Sequence, residues 1–182
     1  DQVSEYLKKL GQKERKILRD LGVKFGRYHI FLHRLIKPEP VSLRTLLWKN
    51  YHQKYFDLKP PTFGLNFLDD NKIKNKNFML LCGFEKFDNF YVRIDILERL
   101  FMKIINSNVE KNKEIKMIPE MLNLLGCNKE NFKILLKSMN YKVTDRESNI
   151  FFKYVPKKNL KKMNKKNLDE SPFGILKDLN LS

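Results

Sequence analysis

The stretch 117–155 constrains the fold more than any other part of the sequence, because two helix patterns and a strand pair follow one another closely there. Pro119–Leu125 predicts a short helix with proline in its first turn and Gly126 at its end. Asn128 is a favourable N-cap for a second helix, 129–140. The apolar residues of that helix recur on one face, which predicts a buried stripe: Phe132, Leu135, Leu136 and Met139.

A strand pair follows the second helix, and an amphipathic helix precedes the first. Residues 141–143 and 150–154 predict a β-hairpin, and Ile94 to Asn106 predicts the earlier helix. Helix, helix, helix and hairpin in this order are typical of a winged-helix unit. We therefore expect an α+β chain, mainly helical, in two small lobes. The predicted parts are a first helical and β-containing lobe 1–60, a linker loop 61–77, a winged-helix-like lobe 78–155, a basic linker 156–170 and a short C-terminal docking helix 171–182.

The first lobe and the start of the second have weaker patterns. Gln12–Leu21 predicts a helix, and the alternating residues 23–32 favour strand. Ser42 is a plausible N-cap for a helix through about Tyr55. The apolar run 78–82 predicts a strand ended by a turn at Gly83.

The charge of the chain is large and unevenly distributed. The sequence has 37 Lys plus Arg against 21 Asp plus Glu, a net charge of +16. The excess falls in 1–60 and beyond residue 110, while 61–110 is balanced. Such an excess is expected of proteins that bind polyanions, and a solvated surface rich in lysine is the alternative.

Three predicted basic surfaces could meet a nucleic acid. Burial of the stripe at 132–139 would leave a row of lysines outward on the same helix, although winged units also dock proteins. A second surface lies in the first lobe, where Tyr28 and Phe31 could stack on bases, although at least one of the two is expected to belong to the core. The third is the basic linker. The candidate contacts are Lys129, Lys133 and Lys137, then Lys24, Arg27, Arg34, Lys37 and Arg44, then Lys157, Lys158, Lys161 and Lys162.

No catalytic motif is recognisable. A GxxxxGK[ST] phosphate loop is missing, so this chain alone is not expected to be an ATPase or any other enzyme. The carboxylate pairs Asp69–Asp70 and Asp95–Glu98 are interpreted as solvated loop and helix faces. His29 and His33 are too few for a zinc site, and no metal or cofactor is expected in this chain.

The placement of the cysteines and the length of the apolar runs bear on the location of the chain in the cell. Cys82 and Cys127 lie far apart in apolar surroundings, which predicts free thiols in a reducing cytoplasm. No apolar run approaches membrane-spanning length, so no membrane partner is expected.

Several ordered sequence blocks resemble a known family. The blocks are Gly22–Arg27, Leu35–Pro38 with Leu43–Trp48, Val92–Leu100, Pro119–Cys127 and Asp169–Leu176. Together they resemble the C-terminal region of alphaproteobacterial superfamily 2 helicases, relatives of the mitochondrial degradosome RNA helicase. Many alanines and arginines of that pattern are replaced here by lysine, asparagine or isoleucine.

The resemblance implies a non-catalytic region of an ATP-dependent helicase, with motor domains, ATP and Mg²⁺ upstream of Asp1. Its implied role is to grip or guide single-stranded RNA or DNA, mainly through phosphate contacts, with RNA slightly favoured. The alternative is a docking module that recruits a nuclease or ribosomal protein through the second lobe and the terminal helix 171–182. A hydrolase with a site outside the known motifs is a weaker alternative, and it would need a deep polar pocket.

Overall fold

A computed structural model describes residues 2–53, 55–69, 75–107, 114–146 and 149–156. About half of the described residues are helical and small sheets accompany them, so the chain is α+β. The helices are α1 Gln2–Lys9, α2 Gln12–Asp20, a 3-10 helix His33–Ile36, α3 Pro38–His52, α4 Lys76–Leu81, α5 Ile94–Ser107, α6 Pro119–Leu125 and α7 Lys129–Ser138. The strands are β1 Val23–Phe25, β2 Ile30–Leu32, β3 Phe67–Asp69, β4 Phe84–Phe87, β5 Phe90–Arg93, β6 Ile115–Lys116, β7 Tyr141–Arg146 and β8 Asn149–Tyr154.

The helices and hairpin predicted between residues 94 and 154 are confirmed. α5 and α6 have the predicted starts, and α7 stops at Ser138, slightly before the predicted end. The Asn128 side chain accepts a hydrogen bond from the Asn131 N–H at 2.8 Å, which caps α7 as expected. Gly126 ends α6 with a φ of 72°, a left-handed conformation that costs glycine little.

The strand predicted at 78–82 is wrong, because this segment belongs to helix α4. A short apolar run does not distinguish a strand from a buried helix by its periodicity. The deciding signal is Asn75, whose side chain accepts a hydrogen bond from the Phe78 N–H at 3.0 Å and caps the helix. Phe78 and Met79 are then fully buried.

Two further element predictions need correction. α3 begins at Pro38 rather than after Ser42, because proline is well suited to the first helical turn. Residues 67–69, predicted to be loop, form β3 through antiparallel pairing with β5. That pairing depends on a partner strand distant in sequence, so a local pattern could not reveal it.

The central strand β5 separates two hydrophobic clusters. Its side chains alternate between the two faces of the sheet β3–β5–β4. Phe90 and Val92 join a cluster with α5, α6, α7 and the sheet β6–β8–β7, and Tyr91 joins a cluster with α3 and α4. Residues from the predicted first lobe reach both clusters, since Val41 lies in one and Tyr28 packs against the other.

Candidate nucleic-acid interface

An open cleft of about 570 Å³ lies between the hairpin β1–β2 and helix α5. Its volume is typical of a site that holds a small ligand or one unit of a polymer. Lys24 and Phe31 are paired residues of the hairpin, so both side chains lie on one face and reach the cleft. The cations of its lining are Lys24, Arg27 and Arg99, and the aromatic residues are Phe25, Phe31 and Phe101.

The cleft also contains two carboxylates, and both are bound by the chain itself. Asp95 accepts hydrogen bonds from the Arg93 guanidinium at 2.7 Å and 3.2 Å. Glu98 is only 7% exposed and is held by the hairpin loop. Lys24, Arg27 and Arg99 have no carboxylate partner among the described residues. The free charge of the cleft is therefore positive.

The hairpin loop surrounds Glu98 with consecutive backbone donors. The N–H of Arg27 donates to Oε2 at 2.6 Å, and those of Tyr28 and His29 donate to Oε1 at 2.7 Å and 2.8 Å. Successive N–H groups of this kind form an anion-binding concavity. Here the anion is the protein's own carboxylate, so Glu98 fixes the loop to α5 and places Arg27 at the cleft.

The interpretation of Asp95–Glu98 as a solvated helix face is therefore wrong. Glu98 faces the hairpin because Ile94, Leu97 and their apolar neighbours orient α5 toward the core. Its partners lie about seventy residues earlier in the chain, beyond the range of any local pattern. Asp69 of the other predicted carboxylate pair is exposed, and Asp70 lies outside the described residues.

His29 lies between two carboxylates. Its Nε2 is 3.3 Å from Glu85 Oε2 and its Nδ1 is 3.4 Å from Glu98 Oε1, so both ring nitrogens donate when the ring is protonated. Burial lowers the pKa of His29, but the hydrogen bonds to Glu85 and Glu98 outweigh it and raise the pKa to about 9. The hydrogen bond from His29 lowers the pKa of Glu85. Burial raises the pKa of Glu98, and the bonds from His29 and the loop N–H groups reverse this into a lowered pKa.

These pKa shifts predict how stability depends on pH. The folded-state pKa of His29 exceeds its ordinary value of 6.5, so its contribution is complete below that pH and is lost as pH rises through about 9. The lowered pKa values of Glu85 and Glu98 make their contributions present above the unfolded pKa and lost in acid. We expect the free energy of unfolding to fall by about 2 kcal/mol between about pH 6 and pH 8, below the ordinary thiol pKa of 9.0 at which cysteines would add a decline of their own.

Urea denaturation across this pH range measures the effect. His29→Gln is the control, because its curve should lose most of the decline between pH 6 and pH 8. Equal declines for both proteins between pH 6 and pH 8 would contradict the assignment of the charge to His29.

The predicted residues of the first lobe divide between two adjacent cavities. Lys24 and Arg27 line the cleft, whereas Lys37 lines a neighbouring cavity of about 230 Å³. Asp95 lines both cavities, so they lie side by side. Arg34 is exposed, and Arg44 donates to the Leu35 carbonyl at 3.3 Å.

The aromatic residues of the first lobe also divide. Tyr28 packs against the core with its ring edge-on to Phe101, at a centroid distance of 5.4 Å. Phe31 is half-buried and lines the cleft. The expectation that one of the two belongs to the core is confirmed.

The lysine row of α7 is interrupted at its centre. Lys133 Nζ donates to Asp145 Oδ2 at 2.9 Å and to Glu130 Oε1 at 3.3 Å. The hydrogen bond with Asp145 raises the pKa of the Lys133 amine. Lys129 and Lys137 are exposed. Within the described residues the helix thus offers two uncompensated charges rather than three, which makes it a weaker phosphate-binding surface than the cleft.

Sequence reasoning missed Arg99, and part of its prediction cannot be located. Arg99 follows Glu98 on the polar side of α5, and it lies on one helical face with Asp95 and Met102. Its position on that face was the only available signal. The candidate contacts Lys157, Lys158, Lys161 and Lys162 lie outside the described residues, as does the predicted helix 171–182.

The described residues contain no candidate metal site and two free thiols. No group of three histidine, cysteine or carboxylate side chains there could hold a metal ion. Cys82 and Cys127 are free thiols, as predicted, and burial raises their pKa values to about 12 and about 11. No described helix has the length and apolar character needed to cross a bilayer. Comparison with protein-family models, curated proteins and solved structures finds no match.

Proposed function

We propose that this chain binds single-stranded nucleic acid along the cleft between the β1–β2 hairpin and α5. One observation carries the proposal. Three cations share a cleft lined by aromatic residues, and none of them has a carboxylate partner among the described residues. The carboxylates of the cleft are already bound by other groups of the chain. A polyanion entering the cleft would therefore meet free positive charge. It would not have to displace an internal ion pair from Lys24, Arg27 or Arg99.

The types of side chain favour a single strand. Arginine donates paired hydrogen bonds to phosphate oxygens, and Arg27 and Arg99 supply two such groups. The half-buried ring of Phe31 offers a stacking surface for a base, which is exposed only when the strand is unpaired. Stacking and phosphate contacts tolerate any base, so we expect weak sequence preference.

We further propose that residues 94–154 form a winged-helix-type unit of a helicase C-terminal region. The order α5, β6, α6, α7, β7, β8 supports this proposal, as does the sheet order β6–β8–β7. The sequence blocks described above support the family. In that setting the chain would be non-catalytic and would guide RNA or DNA for an ATP-dependent motor.

Fluorescence anisotropy with labelled oligo-U and oligo-dT tests the binding proposal. We expect measurable affinity at low salt. The logarithm of the association constant should fall linearly with the logarithm of the salt concentration. Replacing Lys24, Arg27 and Arg99 together by glutamine should lower the affinity at least about tenfold and reduce the salt slope by about 2, because about three phosphate contacts are lost.

The matched control removes three charges elsewhere, from exposed residues of α7 and β7: Lys129, Lys137 and Lys142. Its affinity should stay within about threefold of the unmodified chain. A larger loss in the control than in the cleft variant would move the site to α7. If neither oligonucleotide binds at low salt, the protein-docking alternative is favoured.

A further inference from the structure

Helix α3 has an apolar face that no described residue covers. Its side chains at positions 43, 46, 47 and 51 fall on one face by their helical spacing. The opposite face holds Val41 and Thr45, both buried. The exposed fractions are 57% for Leu43, 55% for Leu46, 58% for Leu47 and 84% for Tyr51. We name these four residues the α3 stripe. A continuous patch of this kind on a helix marks a docking surface.

The charges beside the stripe determine which charge a docking segment should carry. Arg44 and Lys49 lie at its two edges by helical position, and Lys37 precedes the helix. Glu39 is the one carboxylate in the sequence of α3 and lies one turn before Leu43 on the same side, so three cations outnumber one carboxylate around the stripe. An apolar segment with acidic residues would therefore be complementary to this surface.

The chain contains one segment of this composition outside the described residues. Residues 169–182 hold Asp169, Glu170 and Asp178 against a single Lys177, so they are acidic in a chain whose net charge is +16. Their apolar residues Phe173, Leu176 and Leu179 recur every third position, which predicts a helix with one apolar side. Such a helix is too short to be stable unless it packs against something.

The length of the tether sets the surfaces that the segment can reach. The described residues end at Pro156, and about 13 peptide units separate it from Asp169. They span up to about 45 Å when extended and about 20 Å on average. A domain of about 150 residues is roughly 40 Å across. The segment can thus reach surfaces within about 45 Å of Pro156 along the outside of the protein, at an effective concentration in the millimolar range.

A second copy of the chain fits the stripe less well. Two stripes face to face would bring Arg44 and Lys49 of one copy against the same cations of the other. Four partly exposed side chains offer roughly 500 Å² per copy, below the roughly 800 Å² per partner of stable interfaces. A tethered segment needs less buried area because its ends are already held together.

We propose that residues 169–182 dock on the α3 stripe of the same chain, with their apolar side against Leu43, Leu46, Leu47 and Tyr51. Asp169, Glu170 and Asp178 face the cations beside the stripe. The docked segment shields the largest exposed apolar surface of α3 from solvent. This proposal is independent of nucleic-acid binding in the cleft.

Disulfide trapping in the full chain tests the docking. Cysteines are introduced at Leu47 and Leu176 in a Cys127→Ser background, where the remaining Cys82 is only 3% exposed. Mild oxidation should give a disulfide within one chain at a rate that does not depend on protein concentration. The matched control pairs Leu176→Cys with Ile105→Cys on α5, whose side chain is similarly exposed at 47%. We expect the Leu47 pair to react at least about tenfold faster than the control pair, because docking raises its local concentration.

A charge variant gives a second measurement. Asp169→Asn with Glu170→Gln should slow trapping at low salt and have little effect at high salt, where charge attraction is screened. Equal rates for the Leu47 and Ile105 pairs would overturn the proposal. So would cross-linked dimers whose yield rises with concentration, because they would assign the stripe to a second copy.

Discussion

Replacing Glu98 by glutamine is expected to lower the free energy of unfolding by about 2 to 4 kcal/mol, because the amide oxygen replaces only one carboxylate oxygen and the His29 imidazolium keeps Glu85 alone as its counter-ion. The amide nitrogen of glutamine is a donor, so one side of the new group would face N–H groups that need an acceptor. The side chain is 7% exposed, so water cannot readily replace the lost bonds. Urea denaturation followed by circular dichroism measures the change.

The control is Glu120→Gln, which makes the same chemical change on the exposed surface of α6. It should alter the free energy of unfolding by no more than about 0.5 kcal/mol. Similar losses for the two variants would mean that the loop does not depend on Glu98. The Glu98 variant should also bind oligonucleotides more weakly, since a released loop no longer places Arg27 at the cleft.

Gly26→Ala is expected to lower the free energy of unfolding by about 2 to 4 kcal/mol. The φ of Gly26 lies outside the left-handed region, so the backbone by itself would tolerate alanine. A Cβ at this position would overlap the carboxyl group of Glu98. The carboxyl group must then shift, or the hairpin must move away from α5, and either movement stretches the bonds from the loop N–H groups. Gly11→Ala is the control, because its Cβ would meet only the Glu14 carboxylate at an ordinary 3.6 Å. Its expected cost is about 1 kcal/mol or less.

A double-mutant cycle separates this mechanism from general strain. In a Glu98→Ala background the carboxyl group is absent, so Gly26→Ala should cost at least about 1 kcal/mol less than in the unmodified chain. Equal costs in the two backgrounds would show that the glycine is required for another reason. The cycle thus reports whether the β1–β2 hairpin and α5 are coupled through the contact between Gly26 and Glu98.

Local sequence patterns predicted the elements that local interactions specify. Pro119, Gly126 and Asn128 mark the ends of α6 and α7, because a cap or a helix start depends on residues within one turn. The strand pair 141–154 was predicted for the same reason, since its partners are close in sequence. Lys24 and Arg27 were predicted as contacts from charge alone, and their arrival in one cleft follows from the hairpin register.

The tertiary structure decided what these side chains are free to do. Lys133 looked available in the sequence, but Asp145 of the neighbouring hairpin binds it. Glu98 looked like a solvated residue, but the hairpin loop surrounds it. The physical reason is the same in both cases: a charge is neutralised by whatever the fold brings within about 3 Å, and spacing along the chain does not encode that neighbour. The sequence by itself therefore determined the helices and hairpin between residues 94 and 154 and the excess of positive charge, whereas only packing decided which of those charges remain unpaired.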